Sequence, residues 1–420
     1  MSNIIVKIYR KIVPSFLRRF IYYVRHGIYL FFTSLFDNFI NYHFINYHFK
    51  LFLYYFFRIF PIQNNKIFIQ NFYGNGYGDN PKYIVENILS RGLNFKLVWA
   101  VKTKLLKDYH QNISFVLYKS IRSIYEEVTA KIWIDNCRKH HYVRKRKAQY
   151  YIQTWHGIIG FKKVEKDIED KLSENYIIDA KYDSMLADLF ISDSKFTSQL
   201  YRSSFWYNGD ILECGSPRVD ILINQKQDIK SKVRKNYNIT EDIKIILYAP
   251  TFRNDFNTDV YNINYELLLK TIEKHTNETW VFLIRMHPNI SDKSGFIEYN
   301  DKIINASNYD DIQELLITSD ILITDYSSCL YEFAIMNKPV FLYINDYEQY
   351  KDERDFYFDI FSLPFPYAIN FNDLIQNIIY FNNESYLHSL NDFFMKVDIV
   401  KDGNASQEVV DQIISQTNIK

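Results

Sequence analysis

Two series of short apolar runs, each about the length of one buried strand, dictate what this chain can fold into. The first series occupies residues 67–70, 95–101, 115–118, 132–135, 150–154, 189–192 and 211–214. A polar, charged stretch at 224–242 interrupts the pattern, and a second series follows at 243–249, 280–286, 303–306, 321–324 and 340–344. Apolar strands alternating with helical stretches build parallel sheets through β-α-β units, whose helices cover both faces of the sheet. The pattern predicts an α/β chain with two Rossmann-like domains facing a cleft. A length of 420 residues agrees, being long for a single core. The expected division is 1–62 for an N-terminal segment, 63–225 for the first domain and 226–420 for the second, with the last helix free to pack back on the first domain. In such sheets ligands sit beyond the carboxyl ends of the strands.

The most informative strand end is the stretch from Asp320 to Ala334. An apolar strand runs into Thr324, Asp325, Ser327 and Ser328, and a helical pattern of Leu330, Phe333, Ala334 and Met336 follows at once. Short hydroxyl and carboxylate residues at such a junction cap a helix. The first amides of that helix lack internal partners and carry partial positive charge, which favours a phosphate. This reads as the phosphate-holding end of a transferase that uses a nucleotide-activated donor. Glu332, one turn on, is placed either to bond a ribose hydroxyl or to face solvent. Asp325 either serves the nucleotide or only caps its helix.

Other strand ends carry ionisable groups. Gln153-Thr-Trp-His-Gly157 sets His156 beside Trp155, with Gly157 allowing a tight turn that leaves the imidazole facing the cleft. Histidine is the natural general base near neutral pH, although a strand-end histidine often has only a structural role. Leu283-Ile-Arg-Met-His-Pro288 repeats the layout with Arg285, His287 and a proline that stops the strand. Arg285 and Arg253, the latter ending Tyr248-Ala-Pro-Thr-Phe-Arg253, offer bidentate forks to a phosphate. A surface salt bridge is the bland alternative for Arg285. Gly215-Ser-Pro-Arg218 and Asp220 close the first series, and Asp220 either faces the cleft or pairs with Arg218. Gly74-Asn-Gly-Tyr-Gly78, followed by Asn80, has neither the Lys-Ser/Thr of a Walker loop nor dinucleotide spacing, so it reads as a cleft-lining turn or a phosphate contact. The basic run from Arg138 to Lys147 reads either as a solvated loop or as a contact for a polyanionic chain or lipid headgroups.

A net charge of +1 gives the whole molecule no nucleic-acid signature. The distribution is uneven, since residues 1–60 carry eight Lys or Arg against Asp37 alone, amid many Phe, Tyr and Ile. Uncharged runs there span only 26–36 and 38–49, short of the ~18 residues a membrane-crossing helix needs. The segment reads as basic amphipathic helices lying on an anionic membrane surface, with packing on the protein's own body or a true span as alternatives. Three unclustered cysteines, Cys137, Cys214 and Cys329, argue against a disulfide framework and fit a reducing cytoplasm. No metal and no other cofactor is expected, because histidines lack paired ligand spacing and no Asp-x-Asp occurs.

Seven stretches, taken together and in order, resemble the CDP-glycerol glycerophosphotransferase family of teichoic acid and capsular polymer synthesis. They are Phe72-Tyr-Gly with Asp79-Asn-Pro-Lys-Tyr83, Gln153 to Gly157, Gly215 to Asp220, Leu247 to Arg253, Arg285 to Pro288, Thr324 to Ser328, and Asp402-Gly-Asn-Ala-Ser406. The resemblance covers about residues 66–415. It implies a GT-B arrangement and an enzyme that moves glycerol phosphate, or another alditol phosphate, from a CDP-alditol donor to the hydroxyl of a polymer or lipid-linked acceptor, releasing CMP. It further implies a peripheral location on the cytoplasmic face of a bacterial cell membrane. By the same resemblance His156 and His287 are the active-site histidines. Arg285, Arg253, Thr324, Ser327 and Ser328 would then hold the donor phosphates, and Glu332 and Asp325 the nucleotide. Gly74, Asn80, Trp155, Arg218 and Asp220 would line the cleft or meet the acceptor. Val219 and Glu332 depart from the residues usual in the family at those places. A GT-B glycosyltransferase using a nucleotide sugar, or a polymer-binding scaffold that kept the fold, are the competing readings.

Overall fold

The structure is a computed structural model describing residues 47–102, 111–253, 258–261, 263–286, 297–353 and 355–417. Most of the basic aromatic segment (1–46) and His287 lie outside the described residues. The first lobe is built on a seven-stranded sheet of β1 (Gln63–Gln70), β2 (Lys96–Val101), β3 (Ile113–Leu117), β4 (Ala130–Asp135), β5 (Tyr150–Gln153), β6 (Leu189–Ser192) and β7 (Asp210–Glu213). Its strand order is β3-β2-β1-β4-β5-β6-β7. The second lobe holds β8 (Lys244–Tyr248), β9 (Trp280–Ile284), β10 (Ile303–Asn305), β11 (Ile321–Thr324), β12 (Val340–Tyr343) and β13 (Tyr367–Ala368). These pair in the order β10-β9-β8-β11-β12-β13. Every pairing in both sheets is parallel.

Each expected apolar run forms a strand, and β13 is an addition. That strand has only two residues and follows Pro364 and Pro366, so it offers no periodicity to read. The strands are buried on both faces. Phe68, Val98, Trp133 and Tyr151 pack on one side of the first sheet with the helices Tyr47–Phe56 and Ile121–Thr129. Ile67, Ile69, Leu97 and Ile152 pack on the other with the Asp79–Ser90 helix and with Val409, Val410 and Ile413 of the final helix, Ala405–Ser415.

The final helix thus returns to the first lobe. Asp220 accepts its leading amides, from Ala405 at 3.1 Å and Ser406 at 2.7 Å. This corrects both sequence readings of Asp220, which neither faces the cleft nor pairs with Arg218: its two oxygens satisfy amides that a helix start leaves unpaired. Where the chain crosses back, Asn224 donates to the Gly403 carbonyl at 3.0 Å. The lobes also share apolar contacts, with Tyr83, Ile158, Ile159 and Phe161 joining Leu247, Leu322, Leu330 and Tyr331 in one cluster. Lys82 reaches across to Asp311 at 2.7 Å and Glu314 at 2.9 Å.

The basic run is neither a solvated loop nor a free cationic patch. Arg138 is buried against Glu165 and Asp183, and Lys139 against Glu127 and Asp135. His140 and His141 share Asp179, Lys145 pairs with Asp188, and Arg144 and Arg146 are turned to backbone carbonyls. The run is a brace whose charges are largely neutralised by carboxylates distant in sequence. Nearby, the Tyr47–Phe56 helix buries Leu53 and Tyr54 but leaves Phe52, Tyr55 and Phe56 about half exposed. Among the described residues, no helix is long and apolar enough to cross a membrane.

Candidate active site

The two sheets present their carboxyl edges to one cavity of about 680 Å³. Each sheet reverses its winding at a switch point, between β1 and β4 in one and β8 and β11 in the other. Crevices at such points are the natural ligand sites of parallel sheets. His156 is tied to the first switch point: its Nδ1 lies 2.6 Å from the carbonyl oxygen of Asn136, just after β4. A carbonyl can only accept, so Nδ1 carries the proton of the neutral ring and Nε2 keeps its lone pair. Burial lowers the histidine's pKa from its ordinary value, outweighing the Asn136 carbonyl, so the ring stays neutral near pH 7. Trp155 packs over it with ring centres 4.2 Å apart, and Phe72 flanks it at 5.2 Å.

The turn that aims His156 differs from the expected one. Gly157 is not its left-handed residue; Trp155 is, at φ 52°, held by a hydrogen bond from its amide to Gln153 Oε1 at 3.0 Å. Phe72 (φ 41°) and Ile159 (φ 37°) in the same wall are also left-handed. Such conformations cost about 1–3 kcal/mol each and persist only where surroundings fix them, a pattern concentrated at active sites. Gly157 contributes closeness instead: a Cβ there would stand 3.5 Å from Ser328 Oγ, across the cleft.

On the opposite wall, the junction after β11 divides its polar groups between framework and cavity. Thr324 is fully buried and donates to the Ala249 carbonyl at 2.7 Å. Asp325 accepts from the amides of Thr251 and Tyr326 and from Arg253. Ser327 and Ser328 line the cavity. The helix they precede, Cys329–Ala334, is only six residues long, and Ser328 makes no capping hydrogen bond to it. The cap falls to Ser327, whose Oγ accepts the Cys329 amide at 3.4 Å, which leaves the Ser328 hydroxyl uncommitted to the helix.

Arg218 and Glu332 meet across the cleft. The Arg218 guanidinium donates to Glu332 and, at 2.5 Å, to Asp79, while Glu332 also accepts from Gln313 Nε2. Glu332 is 1% exposed, which excludes the solvent-facing alternative. Burial pushes its pKa up, against the pull of Arg218. Two buried atoms beside this pair have no partner, Arg218 Nε and Gln313 Oε1, and both residues line the cavity. Gln313 and the Asn136 carbonyl had no sequence signal, since one is a single amide in an apolar helical run and the other is main chain.

Several expected site residues serve the walls rather than the cavity. Arg253 gives Nε and one Nη2 hydrogen to Asp346, the other Nη2 hydrogen to Asp325, and both Nη1 hydrogens to Thr251. All five donors are used, so none is left for a phosphate in this arrangement. Arg285 turns its guanidinium to the Tyr309 carbonyl and is not part of the cavity lining. Asn80 donates to the carbonyls of Thr154 and Trp155 and accepts from Ser216 and the Arg218 amide, stitching three strand-end loops together. Gly74 sits at φ 88° where a Cβ would lie 2.9 Å from that of Tyr118, so packing, not a ligand, requires glycine there. The structure thus brings His156, Trp155, Arg218, Ser327, Ser328 and Glu332 to one cavity. Among the described residues, no group of three or more His, Cys, Asp or Glu side chains is arranged to hold a metal.

Two parallel α/β lobes of this kind, with a basic residue and a serine turn facing each other at their switch points, define a GT-B-like transferase architecture. Residues 52–415 match the family model for CDP-Glycerol:Poly(glycerophosphate) glycerophosphotransferase, and the chain belongs to that family. It is 31% identical over 364 residues to a teichoic acid glycerol-phosphate transferase of Staphylococcus aureus, covering 83% of this chain and 92% of that protein. It is 30% identical over 366 residues to a teichoic acid poly(glycerol phosphate) polymerase of Staphylococcus epidermidis, covering 84% of this chain but only 51% of that protein. A solved structure of the wall teichoic acid polymerase TagF superposes with a TM-score of 0.77 at 29% identity, covering 87% of this chain and 93% of that one.

Proposed function

We propose that this protein transfers glycerol phosphate, or a related alditol phosphate, from a CDP-alditol to a terminal hydroxyl of a growing teichoic-acid-like or capsular polymer. His156 Nε2 takes the hydroxyl proton as the oxygen attacks the β-phosphorus. The bond between that phosphorus and the bridging oxygen breaks, CMP leaves, and a phosphodiester remains. Ser327 and Ser328 would hold donor phosphate oxygens, Glu332 the ribose, and His287 would stabilise or protonate a phosphate oxygen. The observation that carries the reading is the fixed tautomer of His156, whose free lone pair shares a cavity with Ser328.

The acceptor is proposed to be membrane-borne, with the enzyme seated peripherally through its N-terminal segment. Support comes from the half-exposed Phe52, Tyr55 and Phe56 on the Tyr47–Phe56 helix and from the basic residues that precede it in sequence. The deciding experiment incubates purified protein with CDP-glycerol, CDP-ribitol and nucleotide sugars and identifies the nucleotide released. CMP from a CDP-alditol alone is the expected result. A nucleoside diphosphate from a nucleotide sugar would replace this reading with a glycosyl transfer. His156→Ala should lower turnover by ~10²–10⁴-fold, the usual worth of a general base.

A further inference from the structure

Beyond the basic run, Lys119 and Lys50 of the first lobe are seated on aromatic rings, and neither is paired with a carboxylate among the described residues. Lys119, two residues past the end of β3, is in a left-handed conformation (φ 62°), its Nζ 5.1 Å above the Tyr118 ring. Lys50 reaches from the Tyr47–Phe56 helix, its Nζ 4.8 Å above the Tyr142 ring. That ring stacks on His140 at 5.2 Å, and the other face of the cluster is Tyr73, 6.1 Å from His140. Lys50, Lys119 and His140 line one small pocket. Burial, reinforced by the charges of Lys50 and Lys102, lowers the Lys119 pKa from its ordinary value, against the opposing charge of Asp179. Asp179 is already shared between His140 and His141. The acid of that pocket, Glu127, is already bonded to Lys139 and Tyr54, so the two ammonium groups, held on aromatic faces, form a site lacking its anion.

Its place along the sheet says which anion. The strand order β3-β2-β1-β4-β5 sets Lys119, Lys102, Tyr73, His140 and His156 after successive strands on the same carboxyl edge. From β3 to β5 is four strand spacings, roughly 19 Å at ~4.8 Å each. We infer that Lys50, Lys119 and His140 form a subsite for a phosphodiester of the acceptor chain, a few repeats back from the hydroxyl presented to His156. The inference rests on the proposed transfer, since it takes the acceptor to be a polyanion with one charge per repeat. An anionic lipid headgroup offers the same chemistry, but the alignment of the cations with the catalytic edge favours the polymer.

The test uses the full chain and the double variant Lys50→Ala/Lys119→Ala, with Lys50→Arg/Lys119→Arg as the charge-keeping control. Calorimetry without donor would measure binding of a synthetic glycerol-phosphate hexamer and of vesicles containing phosphatidylglycerol. Steady-state kinetics with CDP-glycerol would use the hexamer and a one-unit acceptor. The expected result is hexamer affinity weakened on the order of tenfold, about the effect of one lost charge-assisted contact or two weak ones. Hexamer KM should rise in parallel, the one-unit KM stay unchanged, and the Arg pair recover binding. Unchanged hexamer affinity in the Ala variant, or loss of vesicle binding alone, overturns the subsite. Should wild type bind the hexamer through these lysines yet release no CMP, the proposed transfer fails and the anion subsite stands.

Discussion

Arg253 and Arg218 are both buried arginines held between two carboxylates at a strand-end loop. Arg253 lies within the second lobe, bonded to Asp325 and Asp346, with every N–H satisfied by its own lobe. Arg218 belongs to the first lobe, but one of its two carboxylates, Glu332, belongs to the second, and its Nε points at no acceptor. Both are at most 6% exposed. One is a completed brace holding the loops after β8 and β11 in register. The other spans the cleft and keeps a donor unspent beside the cavity. Arginine type and strand-end position are common to the two; what separates them is the count of hydrogen bonds left over, a quantity fixed by tertiary partners.

Removing the brace should give the largest effect. Arg253→Ala leaves Asp325 and Asp346 buried without their cation and is expected to lower stability by about 3–5 kcal/mol, read by denaturant unfolding. Arg253→Lys should recover only part, because an ammonium cannot satisfy the forked acceptors. An Arg253→Ala protein with an unchanged midpoint and a weakened donor affinity would reverse the contrast drawn here. The next measurement is a pair of double-mutant cycles, Arg218→Met with Glu332→Gln and Arg253→Met with Asp325→Asn. Both should show stability coupling of ~0.5–3 kcal/mol, and only the first should also raise the KM for donor. Equal KM changes in both cycles would abolish the distinction.

pH separates the cleft from the lobe contact in another way. Burial depresses the His156 pKa, so the neutral base persists below its ordinary 6.5 and the acid limb of kcat/KM should fall at lower pH than that value. An acid limb above 6.5 would show that another group limits the reaction. Glu314 at the lobe contact is desolvated, but Lys82, Lys232 and Tyr309 more than offset this and bring its pKa to about 2. Its folded-state value is depressed, so its contribution is complete above about 4.5 and is lost as pH falls towards 2. A chemical-denaturation series across that window should show stability declining, and Lys82→Met should flatten the decline. The smallest effects belong to single hydroxyls at the rim: Ser328→Ala should cost ~0.5–1.5 kcal/mol in donor binding, one ordinary hydrogen bond, with stability nearly unchanged.

The sheets were readable because buried parallel strands leave continuous apolar runs, as at Ile321–Thr324, where all four residues are buried. His156, Ser327 and Ser328 were readable for the related reason that strand ends meet at switch points, and their coming together follows from the fold class. The division of labour among polar neighbours was not. Asp220 sits beside Arg218 in sequence but caps a helix 185 residues away, and Thr324 and Asp325 turn inward while the next serines turn outward. Gly157 looked like the turn residue because glycine tolerates positive φ, yet the surrounding hydrogen bonds force that conformation on Trp155. Arg138 and Lys139 looked available because local charge density says nothing about carboxylates that arrive from Glu127, Glu165 and Asp183.

The passage of the chain between lobes has a mechanical consequence. It crosses once near Asn224 and returns near Gly403, and the two crossings are hydrogen-bonded side by side. A pair of adjacent tethers constrains the lobes along one edge: sliding or twisting would shear both tethers and drag the final helix from the first sheet. Any parting of the lobes about that line would first have to break the ion pairs Arg218–Glu332 and Lys82–Asp311 that join them.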